Sequence, residues 1–224
     1  MMYWILFIGV AVLSYVVQAS FQKKFQQASD APLLNGMAGR EVAVRMLAEH
    51  GIHDVKVTST PGQLTDNFNP TNKTVNLSQA VYAQSNVAAA AVAAHECGHA
   101  VQHKVGYGPL KLRTALVPAV NISSKLSMIV IIIGLLIINV FPALFWVGIA
   151  MFAMVLLFSL VTLPVEFNAS SRALAWLKSS NALSETELGQ AKEALSWAAS
   201  TYVVAALSSL ATLIYYISIG TSRR

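Results

Sequence analysis

Charged side chains are scarce in this chain: Asp, Glu, Lys and Arg make up 11% of its 224 residues, against about 25% in a soluble domain. That shortage excludes a domain bathed in water on every side. Cysteine is nearly missing. The single thiol, Cys97, rules out an intrachain disulfide and suits a reducing compartment. No basic tract interleaved with aromatics occurs, so the net charge of +5 speaks against nucleic-acid binding and for basic flanks of membrane helices. What fills the chain is apolar: 55% of its residues are hydrophobic, gathered into long runs.

The first run, Tyr3 to Ala19, is uncharged and just long enough to span a bilayer. Val17-Gln18-Ala19 would pass as a signal-peptide cleavage site, but Lys23 and Lys24 follow the run and no basic segment precedes it. Residues 1–22 therefore read as an uncleaved anchor with its N-terminus outside. Residues 23–114 form a polar domain. Leu126 to Val140 and Pro142 to Val165, separated by a break at Asn139-Val140-Phe141-Pro142, read as a transmembrane helical hairpin within 115–165. Its first arm is short unless it starts nearer Val117, with Lys125 snorkelling to the interface. Residues 166–200 are polar and helical, with a capping box at Ser184-Glu185-Thr186-Glu187. Residues 201–224 hold a fourth apolar stretch, Tyr202 to Gly220, read as membrane-embedded.

Two crossings separate residue 99 from residue 166, so both face the same side. Lys23, Lys24, Lys104, Lys111, Arg113, Lys125, Arg172, Lys178 and Lys192 fall on that side too. The positive-inside bias makes it the cytoplasm. Arg223 and Arg224 oppose this if the fourth stretch spans.

In the polar domain, Gly36 to His50 reads as a short amphipathic helix closed by Gly51, with Val42, Val44, Met46 and Leu47 as its apolar positions. Val55 to Thr58 and Thr74 to Leu77 read as strands, and Asp66 to Asn72 as turn chemistry. Ser78 could cap a short helix through Ala83. Next comes an alanine-rich helix from Asn86 to Lys104, with Ser85 as its expected N-cap.

That helix carries Ala94-His95-Glu96-Cys97-Gly98-His99, an H-E-x-x-H pattern. Histidines four apart on a helix project from one face, where both imidazoles can hold one Zn²⁺, and Glu96 stands beside the ion to take a proton from water. Burying these three polar groups on one stripe without a metal would be costly. Cys97 points to the opposite face and reads as packing.

A catalytic zinc takes a third protein ligand. His103 continues the spacing but lies about 12 Å along the axis from His95, out of reach of the same ion. Glu41, Glu49, Asp54 and Asp66 offer no specific spacing. Glu166 stands out because it emerges directly from a membrane helix, where an unpaired charge is expensive. An interfacial ion pair with Arg172 is the alternative reading of it.

Ala93-Ala94-His95-Glu96-Cys97-Gly98-His99-Ala100-Val101-Gln102 and Glu166-Phe167-Asn168-Ala169-Ser170 resemble the YugP-type membrane zinc metallopeptidases of bacteria. They are more distantly similar to the HtpX and CAAX-prenyl-protease group, whose third ligand sits in an E-x-x-A-D segment. The likeness covers nearly the whole chain, including Leu64-Thr65-Asp66, Asn69-Pro70, Leu77-Ser78 and Leu163-Pro164-Val165. It implies a gluzincin-type enzyme of the bacterial inner membrane, with zinc ligands His95, His99 and Glu166 and with Glu96 as base. The implied fold class is a mainly α membrane protein: helical transmembrane segments plus a small zincin-like α+β domain with a short sheet. Two positions depart from the pattern. Ser170 stands where the distant group has an aspartate, so it can offer a zinc histidine only a neutral hydrogen bond. Phe68 stands where the family's loop carries a tyrosine, and lacks its hydroxyl.

The reaction expected from these residues is peptide-bond hydrolysis in membrane or membrane-proximal proteins, at the face of the lipid bilayer. Ser170 is a candidate partner for a zinc histidine, and His103, Tyr107 and Arg172 are candidates for oxyanion stabilisation. A strand around Val57 or Val75 could receive an extended substrate by edge pairing. Two rivals belong to other classes. One is a zinc-binding membrane scaffold that docks partners without proteolysis. The other is a transporter or channel component, disfavoured because Lys125, near an end, is the one ionisable residue inside the apolar stretches.

Overall fold

The computed structural model describes residues 2–222; Arg223 and Arg224 lie outside them. Seven helices and three strands follow one another: α1 Met2–Ser29, α2 Gly39–Glu49, β1 Lys56–Thr60, β2 Asn67–Asn69, β3 Thr74–Ser78, α3 Gln79–Ala83, α4 Val87–Lys104, α5 Gly108–Leu136, α6 Pro142–Ser179 and α7 Glu185–Ser222. The protein is mainly α, and α1, α5, α6 and α7 are each long and apolar enough to cross a membrane. Its described residues divide into two compact units. One runs up to Val16 and adds Lys111–Leu163 and the chain from Thr201; the other comprises Val17–Leu110 and Pro164–Ser200.

The second unit contains the sheet and α4. Its α2 forms because Val42, Ala43, Met46 and Leu47 make one apolar stripe, and all four are buried. The Glu41 carboxylate accepts from Ala38 N–H at 2.9 Å at one end. At the other, Gly51 turns the chain with φ +65°, a conformation that favours glycine. The sheet order is β1-β3-β2, with β1 parallel and β2 antiparallel to β3. Val75 and Leu77 are fully buried and alternate with half-buried neighbours, as a strand covered on one face requires.

Three local expectations change. Asn67–Asn69, read as turn, is a strand: it is too short for a pattern of alternation, and pairing with β3 defines it. β3 is the central strand, paired on both sides, so an extended peptide cannot add at Val75; β1, with Val57, is an edge. The N-cap of α4 is Asn86, not Ser85. Asn86 keeps extended backbone because it bridges Pro32, and its side-chain oxygen takes Ala89 N–H at 2.8 Å. Ser78 caps α3 as expected, accepting from Val81 N–H at 3.4 Å.

The α6 residues of this unit bury Val165, Ala169, Ala173 and Leu177, spaced four apart on one face. Trp176, beside that stripe, donates its indole N–H to Glu49 on α2 at 2.7 Å, and Arg45 bonds the other Glu49 oxygen at 2.9 Å. The start of α7 is locked by the expected box: Glu187 accepts from Ser184 N–H at 2.7 Å, and Ser184 Oγ accepts from Glu187 N–H at 3.4 Å.

In the first unit, α5 and α6 pack through small residues. A Cβ on Gly134 would meet the Phe145 backbone at 2.5 Å, and one on Gly148 would meet the Ile131 backbone at 2.8 Å. Close backbone approach of this kind is how helices associate in lipid, where apolar burial between helices gains nothing over lipid contact. The first hairpin arm is not short: α5 starts at Gly108, well before Val117.

The Trp176 and Arg45 bonds hold the Glu49 carboxyl below its usual range, an effect that outweighs its slight burial. A carboxyl depressed in the folded state stabilises above its unfolded pKa and ceases to do so as pH falls through the folded value. Glu49 is substantially exposed, so the contribution is modest. Glu49→Gln is expected to lose about 1 kcal/mol at pH 7, and thermal melts in detergent should show the difference from wild type closing below about pH 4.

Candidate metal centre

His95, Glu96 and His99 lie within little more than one turn of α4, a helix whose Ala88 to Ala91, Ala93, Ala94 and Ala100 are packed into the core. Both histidine rings meet at 4.8 Å between centroids and 86°, edge to face. Glu166 arrives from α6, 97% buried. One of its oxygens, Oε2, lies 3.3 Å from His95 Nε2 and 3.7 Å from His99 Nε2. Ligand atoms sharing one tetrahedral zinc, each about 2.0–2.2 Å from it, sit roughly 3.4 Å apart. The three donor atoms all lie within 4.8 Å of one another, the one such group of three among the described residues. Two imidazoles and a carboxylate are also the donor chemistry zinc takes at catalytic sites. The residues fit the ion.

The family model described as "Putative neutral zinc metallopeptidase" matches residues 3–221. The chain belongs to this family. Among curated proteins, "Putative membrane protease YugP" of Bacillus subtilis (strain 168) is 38% identical over 224 residues, covering 100% of this chain and 99% of that one. No solved structure matches. The cofactor of this zinc metallopeptidase family member is accordingly zinc, and the His95, His99 and Glu166 group is able to hold it.

The other carboxylates that the sequence left open are engaged elsewhere. Glu41 caps α2, Glu49 takes the Trp176 and Arg45 bonds, Asp54 pairs with Lys73 at 2.7 Å, and Asp66 accepts from Ser78 N–H at 2.7 Å. Among the candidates around the metal, Ser170 meets His95: its Oγ is 3.1 Å from Nδ1. Its spacing of four from Glu166 brings it there on the same face of α6. None of the remaining three is recorded in direct contact with the donor residues. His103 is exposed, and its ring lies 5.8 Å from that of Phe68, tilted by 59°. Tyr107 donates to the Pro164 carbonyl at 3.4 Å, and Arg172 Nε–H donates to Asn168 Oδ1 at 2.8 Å. Cys97 packs on the far face as expected, its thiol 3.5 Å from the Ala43 carbonyl and pushed up by burial.

Burial raises the pKa of Glu96, an effect that the neighbouring histidines only partly offset. Burial alone would depress His99; its bond to Glu166 and the Glu96 charge reverse that and lift it.

Two residues of the site have no reading in the spacing rules. Gln102 is wholly buried and touches His99 Nδ1 at 3.0 Å. The hint was available: a glutamine three residues beyond a metal-type histidine, on an otherwise apolar stripe, needs polar partners. Gly98 is the other. A Cβ there would lie 2.6 Å from the Ala169 carbonyl oxygen, so α4 and α6 come this close only because residue 98 has no side chain.

Gly98→Val is expected to force the helices apart, losing about 1–3 kcal/mol of stability and the bound zinc together. Metal analysis and thermal melts of the purified variant in detergent measure both; wild-type zinc content would show that the approach does not set the donor spacing.

Proposed function

We propose that this protein is a multi-pass membrane zinc endopeptidase that hydrolyses peptide bonds in membrane or membrane-proximal proteins. Its ligands are His95, His99 and Glu166, and its general base is Glu96. The observation that carries this reading is the convergence of the Glu166 carboxylate on both histidines of the H-E-x-x-H turn, within zinc-ligand spacing.

When bound, zinc polarises the scissile carbonyl and lowers the pKa of an attacking water toward neutrality. The Glu96 carboxylate accepts the proton that water loses as its oxygen bonds to the carbonyl carbon. When the C–N bond breaks, Glu96 returns that proton to the departing amine. One water is consumed, leaving a new carboxyl and a new amine. Ser170 steadies the His95 ring through its Nδ1. The gluzincin-type assignment follows from a glutamate supplying the third ligand on a separate helix. The fold of the polar unit, short sheet beside the H-E-x-x-H helix, is zincin-like.

The side of the membrane follows from charge. Lys23, Lys24, Lys104, Lys111, Arg113, Lys125, Arg172, Lys178 and Lys192 share the face to which residues 99 and 166 are assigned, which supports a cytoplasmic site in a bacterial inner membrane. Substrates reaching such a site are segments of membrane proteins or their exposed ends.

The test uses detergent-purified full-length protein. Glu166→Ala is expected to lose its zinc. Glu96→Gln is expected to keep zinc and to lose hydrolysis of an unstructured protein by about 10²–10⁴-fold. Undiminished metal in Glu166→Ala would remove that residue from the ligand set. Full cellular function in Glu96→Gln would turn the assignment toward a zinc-binding scaffold.

A further inference from the structure

Gln102 sits at the junction of two helices, and its amide meets three polar atoms. Its oxygen is 3.0 Å from His99 Nδ1; its nitrogen donates to the Val165 carbonyl at 2.8 Å and to Asn168 Oδ1 at 3.0 Å. Asn168 Oδ1 also accepts from Arg172 Nε–H at 2.8 Å. The direction of this chain of bonds is set at its ends. The Val165 carbonyl can only accept, and Arg172 Nε–H can only donate. Reversing the Gln102 amide would put its oxygen against the Val165 carbonyl. Reversing Asn168 would set its NH₂ against the Arg172 N–H. Either reversal places like poles together, at the wholly buried Gln102 in the first case and at the half-buried Asn168 in the second.

We infer that Arg172, Asn168 and Gln102 form a relay that holds His99 in its Nδ1–H tautomer and so keeps its Nε2 lone pair aimed at the metal. Gln102 Oε1 can only accept, so His99 Nδ1 must donate to it. Neutral imidazole carries one ring proton, which leaves Nε2, the nitrogen facing Glu166, as the ligand atom. The two histidines are therefore held differently. The hydroxyl on His95 can donate or accept and imposes no tautomer, whereas the amide on His99 imposes one. The relay also ties α4 to the turn of α6 that carries Glu166, because Val165 and Asn168 flank it. Gln102 and Asn168 are positioning residues in this scheme: they act through His99. The inference rests on the assignment of His99 as a ligand.

The experiment measures zinc affinity by chelator competition and the His99 tautomer from ring ¹⁵N shifts, on full-length protein in detergent. Gln102→Leu is expected to bind zinc about 10–100-fold more weakly and to lose the slowly exchanging Nδ1 proton of His99. Asn168→Ala, at a half-buried position, is the second variant should Gln102→Leu not fold; it is expected to weaken zinc in the same direction. Asn168→Asp is the diagnostic case. Asn168 uses only its oxygen in the relay, so an aspartate should retain wild-type zinc affinity where alanine does not. Wild-type affinity in Gln102→Leu or Asn168→Ala, with zinc lost from His99→Ala, would overturn the relay alone. An Nε2-protonated His99 in wild type would do the same. Zinc retained by His99→Ala would overturn the ligand assignment and the relay with it.

Discussion

The approach of α4 to α6 at Gly98 and Ala169 is the constraint on which the rest of the site depends. Metal donors must be set to within tenths of an ångström, and the proposed ones, His99 and Glu166, lie on two helices more than sixty residues apart in the chain. Residue 98 has no side chain and Ala169, fully buried, has a minimal one, so the two backbones touch. That contact lies between His95 and His99 on one helix and between Glu166 and Ser170 on the other. A single point of closest approach therefore aligns the three proposed ligands and the partner of one of them. The same device recurs between α5 and α6 at Gly134 and Gly148, where helix association in lipid has no other strong driving force.

Around that contact, the Glu166, His99 and Gln102 side chains meet one another. Glu166, Glu96, His99 and Gln102 are all buried, and unpaired they would each be costly. The Glu166 carboxylate lies between two imidazoles, and the Gln102 amide is bonded on both sides. Cys97, on the opposite face of the same helix, meets only the core. One helix thus divides its circumference between a chemical face and a packing face, and its many alanines suit this: small side chains let it be enclosed on every side.

Much of this was legible in the residues, for identifiable reasons. H-E-x-x-H is readable because helical geometry alone puts positions 95 and 99 on one face. The apolar runs are readable because hydrocarbon thickness dictates their length. The capping box at Ser184 and the turn at Gly51 are readable because both are local. By contrast, Asn67–Asn69 carries no strand signal of its own, and the placement of β3 at the centre of the sheet is a matter of pairing order. The shift of the α4 cap to Asn86 came from a bridge to Pro32, a contact that no local rule contains.

The residue types, their periodicities and the distribution of charge determined on their own that this is a membrane protein with a metal-type helix turn, because those properties depend on neighbours within a few positions. The sequence singled out Glu166 among several carboxylates, but only tertiary structure brings it against both histidines and decides that Gln102 rather than His103 joins them. Both outcomes turn on where a second helix passes the first, and that path is set by backbone contact at residues whose only signal is being small.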